Sequence, residues 1–200
     1  MAEAAMPTGP VTLSKAWVEM IHRYLASMVG MLIIALTVLA WREHRKTPLQ
    51  GARHPGWTTF TLFWVLVQGA FGALTVTMKL FPAIVTLHLL GGFFLLVLLC
   101  VQCVGHQQAV LGQQSTPIRG TLRAALWACF ALLFAQVALG GWVSTNYAVL
   151  ACSTFPDCNG SYWPEMDFAQ AVQIWRPLGL MADGSHISFA ALTAIHYAHR

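Results

Sequence analysis

Charge is scarce in this sequence. Asp, Glu, Lys and Arg make up 9% of its 200 residues, against about 25% in a soluble domain. That excludes an ordinary water-facing shell. A continuous basic face is also missing. The 11 Lys and Arg residues border apolar runs and the formal net charge is only +4, so nucleic acid is not an expected partner. Strand-like alternation is absent from interiors such as MVGMLIIALTVLA and GGFFLLVLLC. No secretory signal opens the chain. Residues 1–16, MAEAAMPTGPVTLSKA, are polar and small, without a basic start leading into an apolar core. The far end breaks off at Arg200 within a helical pattern. Together the two ends predict a piece of a longer protein.

What is abundant is apolar surface. Hydrophobic residues are 57% of the chain and the mean hydropathy is +0.61, which predicts an integral membrane protein. Four runs stand out, Trp17–Trp41, Trp57–Leu80, Ala83–Val104 and Ala124–Val149. Each reaches the roughly 20 residues that a helix needs to cross a bilayer. Lipid offers the backbone no hydrogen bonds, so helices are the expected spanning form. A fifth helix is expected from near Ile187. The predicted fold class is therefore all-α, a polytopic transmembrane helical bundle with four complete spans and the start of a fifth.

Arg42, Arg45, Lys46 and Arg53 fall in one connection, and Arg119 and Arg123 in another on the same side. The positive-inside rule makes that side cytoplasmic. The loop from about Asn146 to Gly184 is then expected on the outer face. It carries Cys152 and Cys158, six apart, where a disulfide can persist; two unpaired thiols are the other reading. Cys100, Cys103 and Cys129 read as packing residues in apolar runs. Trp17, Trp57, Trp142, Tyr147, Tyr162 and Trp163 fit interfacial belts. Lys79 reads as a snorkelling side chain. A weak repeat links QGAFGALTV (68–76) with QVALGGWVS (136–144), and EMIHR (19–23) with HYAHR (196–200). It suggests two related halves. The expected organisation is a polar segment 1–16, a first half 17–123 with paired histidines, and the start of a second half at 124–200.

His22 lies near the start of the first span and His88 near the start of the third, and both spans run inward. Two imidazoles at one depth can ligate a haem iron from either side. Gly91 and Gly92 leave room for a flat macrocycle. The competing reading is a pair of interfacial histidines satisfied by water or backbone. Glu19 shares a face with His22. A carboxylate inside a span is a candidate for function, either relaying a proton or pairing with Arg23. Arg23 could instead bind a haem propionate. His44, His54 and His106 read as solvated loop residues, and His186 as an outer-side residue that could reach a cofactor.

EMIHRYLASMVG, QGAFGALTV, TLHLLGG, QVALGGWVSTNYAVLACSTFPDCNG and AIHYAHR, in that order, resemble the haem A synthase family over nearly the whole chain from Trp17. The resemblance implies an eight-helix bundle of two similar four-helix halves, of which this chain would hold helices two to five. It implies oxidation of a ring methyl of haem O to a formyl group, giving haem A for terminal oxidases. By it, His22 and His88 hold the substrate haem O, Glu19 is the acidic residue of that site, and His199 is a ligand of a haem B cofactor. Cys152 and Cys158 match the cysteine pair of the outer loop. It further implies a bacterial plasma membrane or mitochondrial inner membrane, an electron donor and contact with the enzyme that makes haem O; self-association is left open. The last helices, with the second ligand of that half, would lie beyond residue 200. Two other functions remain open on the residues alone: a di-haem b-type electron-transfer subunit, and a non-catalytic membrane assembly protein.

Overall fold

The computed structural model describes residues 13–48, 54–113 and 117–200. Its long helices are α1, Leu13–Lys46; α2, Pro55–Thr77; α3, Pro82–Val110; and α4, Gly120–Thr145. A 3₁₀ turn at Ala148–Leu150 follows, then the one-turn helix α5, Phe168–Ala171, and helix α6, Phe189–His199. Among the described residues pairing of the β type is limited to two isolated bridges, Cys158 with Ser161 and Leu180 with His186. The four long helices each have the length and composition to cross a membrane. The chain is an all-α integral membrane protein.

The helices overrun the apolar runs. α1 continues through Arg42, Arg45 and Lys46, and α3 carries His106, all expected in connections. Cations in the last turn of α1 face the negative end of its dipole, which favours the extension. α2 stops earlier than expected, at Thr77, because Lys79 and Leu80 turn with φ of 52° and 59°. α4 ends at Thr145, so Val149 lies in the 3₁₀ turn, and α6 begins at Phe189 rather than Ile187. Arg53 and residues 1–12 lie outside the described residues.

Start signals are chemical. Proline opens α2 and α3, where its missing N–H costs nothing. His54 Nδ1 accepts from Gly56 N at 3.0 Å, so this histidine caps α2. Ser188 Oγ accepts from Ala191 N at 3.1 Å and caps α6.

Neighbouring helices pack in chain order, α1 on α2, α2 on α3, α3 on α4 and α4 on α6. Polar side chains bind them, as expected where lipid gives apolar contact no advantage. Thr37 Oγ1 donates to Thr58 O at 3.2 Å and Trp41 Nε1 to Thr59 Oγ1 at 3.0 Å. Trp64 Nε1 donates to Gly91 O at 2.9 Å and Gln102 Nε2 to Thr61 Oγ1 at 2.7 Å. Thr86 and Thr145 join α3 to α4 at 3.2 Å. α1 uses its carboxyl half for this contact, burying Ile33 and Thr37, while every side chain from Trp17 to Met28 is exposed.

Gly91 does not leave the space expected of it. A Cβ there would collide with the Gln68 amide, whereas Gly92 and Gly69 face open space. Gly91→Ala is expected to cost about 1–3 kcal/mol by overpacking, and Gly69→Ala to change little. A thermal melt in detergent checks this; equal melting of the two variants would mean that Gln68 is not tightly held. Cys100, Cys103 and Cys129 are exposed rather than packed. In a bilayer an apolar run faces lipid as readily as protein, so its side chains need not be interior.

Candidate functional site

Glu19, His22 and Arg23 share one face of α1 through the i, i+3, i+4 spacing. Arg23 Nη2 donates to Glu19 Oε1 at 2.6 Å. The two side chains are 53% and 56% exposed, so in water such a pair would contribute only about 0.3–0.5 kcal/mol. The bond engages Oε1 of the carboxylate. His22 is exposed on the same face.

His88 stands in the second turn of α3 and is half-buried. Its ring lies against Gly72 of α2, where a Cβ would come within 3.3 Å of Cε1. Its Nδ1 is buried with no hydrogen-bond partner of good geometry. His22 and His88 are near enough to interact electrostatically, although α1 and α3 each pack mainly on α2. The structure thus brings Glu19, His22, Arg23 and His88 into one neighbourhood.

His199 belongs to a second cluster. Its ring lies on Gly140 of α4, where a Cβ would come within 2.9 Å of Cε1. Gln136 Nε2 is 3.1 Å from His199 Nδ1 and donates to His199 O at 2.9 Å. His196, one turn earlier on α6, accepts at Nδ1 from Cys152 N at 3.2 Å. That bond ties α6 to the loop in which Cys152 and Cys158 are joined with an S–S distance of 2.01 Å. Arg200 donates to Thr154 O at 2.7 Å and Asp157 O at 3.0 Å, and Tyr197 Oη to Tyr162 O at 2.6 Å. In the loop itself Thr154 Oγ1 donates to Asp157 Oδ2 at 2.7 Å, and this bond holds the Asp157 carboxyl below its ordinary pKa.

Sequence reasoning assigned no role to Gln68, Gly72, Gln136, Gly140 or Arg176. The two Gln-x-x-x-Gly segments were visible as a repeated small-residue face, but their histidine neighbours were not. Arg176 sits in a loop and is 1% exposed; nothing in the sequence marks it as buried. Trp142, expected in an interfacial belt, turns inward and donates to Ala171 O at 3.1 Å. His186 is exposed at its bridge with Leu180, and His44 stacks edge-on with His54 at 5.2 Å.

Among the described residues no group of three or more His, Cys, Asp or Glu side chains could close a metal site by itself. Two imidazoles from separate helices suit a metal whose remaining ligands come from a macrocycle. The orphaned His88 Nδ1 and the bare backbone of Gly72 beside the ring are consistent with a ring poised for such a ligand. The residues present therefore fit haem. Two apolar grooves lie elsewhere. One, of about 500 Å³, runs along α3 and α4 beside Phe93, Trp127, Phe130 and Arg123. The other, of about 380 Å³, is bounded by Thr86, Leu139, Trp142 and Ala198. Neither is lined by His22, His88 or His199.

Comparison with known proteins gives a consistent result. The family model described as cytochrome oxidase assembly protein matches residues 2–200. A protein of Shewanella oneidensis named heme A synthase is 35% identical over 199 residues, covering 100% of this chain and 58% of that protein. Heme A synthases of Shouchella clausii and Symbiobacterium thermophilum are each 29% identical, over 78% and 90% of this chain and 51% and 56% of their own lengths. The chain thus spans little more than half the length of these relatives. No solved structure matches it. With the family model matched from residue 2 to residue 200 and a relative 35% identical along the whole chain, this chain belongs to the cytochrome oxidase assembly protein family.

Proposed function

We propose that these residues form the haem O site of a haem A synthase, which oxidises a ring methyl of haem O to the formyl group of haem A for terminal oxidases. The observation that carries the reading is the half-buried His88 ring held against Gly72 of α2, with His22 of α1 near enough to act on it electrostatically. The relatives named heme A synthase support it. His22 and His88 would hold the substrate iron, and His199 would be one ligand of a haem B in the second half. Bound haem supplies the iron-centred oxidation chemistry.

The chain's own residues bind and orient. His88, seated on α2, would hold the iron from one helix, and His22, on the uncovered half of α1, would hold it from another. Glu19 keeps Oε2 available to take a proton released near the reacting edge, while Oε1 stays with Arg23. Arg23 has a second nitrogen, Nη1, with which to meet a propionate. Exchange with an electron donor, delivery by the enzyme that makes haem O, and placement of the Cys152–Cys158 loop on the outer face of a bacterial plasma membrane belong to the same reading. So does the division at residue 123 into two halves.

Glu19→Ala tests the proton role. In a host that makes haem O but has no haem A synthase, haem A output should fall by about 10²–10⁴, with haem still bound. Unchanged output would reduce Glu19 to an interfacial partner of Arg23. Loss of all haem would make it structural. Retained haem B with no haem A from the parent chain would favour the electron-transfer reading.

A further inference from the structure

We propose that the Gln-x-x-x-Gly segments Gln68–Gly72 and Gln136–Gly140 are imidazole seats, in which the glycine admits a histidine from another helix and the glutamine one turn earlier holds its Nδ1 side. The inference rests on the haem reading above and adds positioning residues to it. At both places the ring meets the glycine in the same way. A Cβ at Gly72 would lie 3.3 Å from His88 Cε1, 3.7 Å from Nε2 and 4.0 Å from Nδ1. At Gly140 the corresponding distances to His199 are 2.9, 3.4 and 3.6 Å. Cε1 faces the helix in each case, so the two ring nitrogens flank it.

The Nδ1 side is the glutamine side. Gln136 Nε2 stands 3.1 Å from His199 Nδ1. At the other seat the Gln68 main chain lies near the His88 ring, and Nδ1 there is buried without a partner. Gln68 itself is 7% exposed with Oε1 unpartnered. A buried orphan acceptor packed on Gly91, one turn of α3 beyond a buried orphan ring nitrogen, is an unfinished arrangement. Ligation at Nε2 would complete it: the ring proton would then sit on Nδ1, with the acceptors of Gln68 to receive it. At His199 the same state needs the Gln136 amide to present Oε1 to Nδ1, at the loss of the bond from Nε2 to His199 O.

The seats also account for the likeness of QGAFGALTV to QVALGGWVS. QGAFGALTV follows the EMIHR helix in the chain, whereas QVALGGWVS precedes the HYAHR helix. One displaced block cannot match both pairs. A local device, used wherever a helix must accept an imidazole edge, can.

The test uses the whole 200-residue chain in detergent, loaded with haem B. The parent should give a low-spin, bis-imidazole spectrum from His22 and His88. Gly72→Ala pushes the His88 ring away, and should convert a large fraction of the ferric haem to high spin. Gly69→Ala, on the same helix but facing open space, should leave the spectrum unchanged. Gln68→Leu removes the side-chain acceptor without adding bulk, and should shift the low-spin signature and the reduction potential. Gly72→Ala and Gln68→Leu both indistinguishable from the parent would overturn the seats and leave the haem reading intact. A parent with no low-spin haem would sink the haem reading instead. If Gly72→Ala fails to fold, Gln68→Leu decides alone.

Discussion

His88→Ala is expected to purify as a folded helical protein without bound low-spin haem. His88 is half-buried, its ring is packed on Gly72, and its helix is bonded to α2 through Trp64 and Gln102. On the proposed reading it would be the ligand whose position is set before haem arrives. His22 differs. It lies in a stretch of α1 where every side chain from Trp17 to Met28 is exposed, so no neighbouring helix fixes its rotamer. His22→Ala is accordingly expected to keep haem on His88 as a high-spin, five-coordinate species, while His88→Ala loses it. Absorption spectra of the two variants, compared at equal helix content, measure the difference. Imidazole added to His88→Ala should restore part of the low-spin band, because the vacated space on Gly72 has the shape of a ring. A low-spin spectrum in His88→Ala without added imidazole would mean that another histidine ligates, and would remove His88 from the site.

Arg176→Ala should release the loop between α4 and α6. The guanidinium donates from Nη2 to Asn146 Oδ1 at 2.6 Å, from Nε to Gln173 O at 3.1 Å and from Nη1 to Leu180 O at 3.4 Å. It also lies over the Trp142 ring at 5.7 Å. Burial lowers the Arg176 pKa, yet a guanidinium stays charged in proteins, so its acceptors are not optional. Removing it strands these neutral acceptors, at a cost of about 1–3 kcal/mol for each that stays buried. The expected readouts are a lower melting temperature and faster proteolysis within 153–184. Arg176→Lys should rescue little, since an ammonium cannot reproduce the planar fork. Wild-type resistance to protease in Arg176→Ala would show that the disulfide and the α6 contacts hold the loop without it.

Much of the site was legible because membrane insertion is read along the chain. A charge inside an apolar run is conspicuous, so Glu19, His22, Arg23 and His88 stand out by type and position alone. Gln68 and Gln136 do not, since glutamines occur on many helix faces. Gly91 was legible as a small residue but not as a filled one; the Gln68 amide that fills it comes from another helix. Arg176 was hidden for the opposite reason. An arginine in a polar loop looks solvated until the loop folds over Trp142 and Asn146.

By itself the sequence determined the all-α membrane class, the number of long spans and the identity of the candidate ligands. These depend on the transfer free energy of contiguous segments, which is a local quantity. Only the tertiary structure decided which glycines receive the imidazoles and which apolar residues face outward. Those outcomes depend on contacts between helices far apart in the chain. In lipid, apolarity also ceases to distinguish inside from outside, which is why Cys100, Cys103 and Cys129 read as core and lie on the surface.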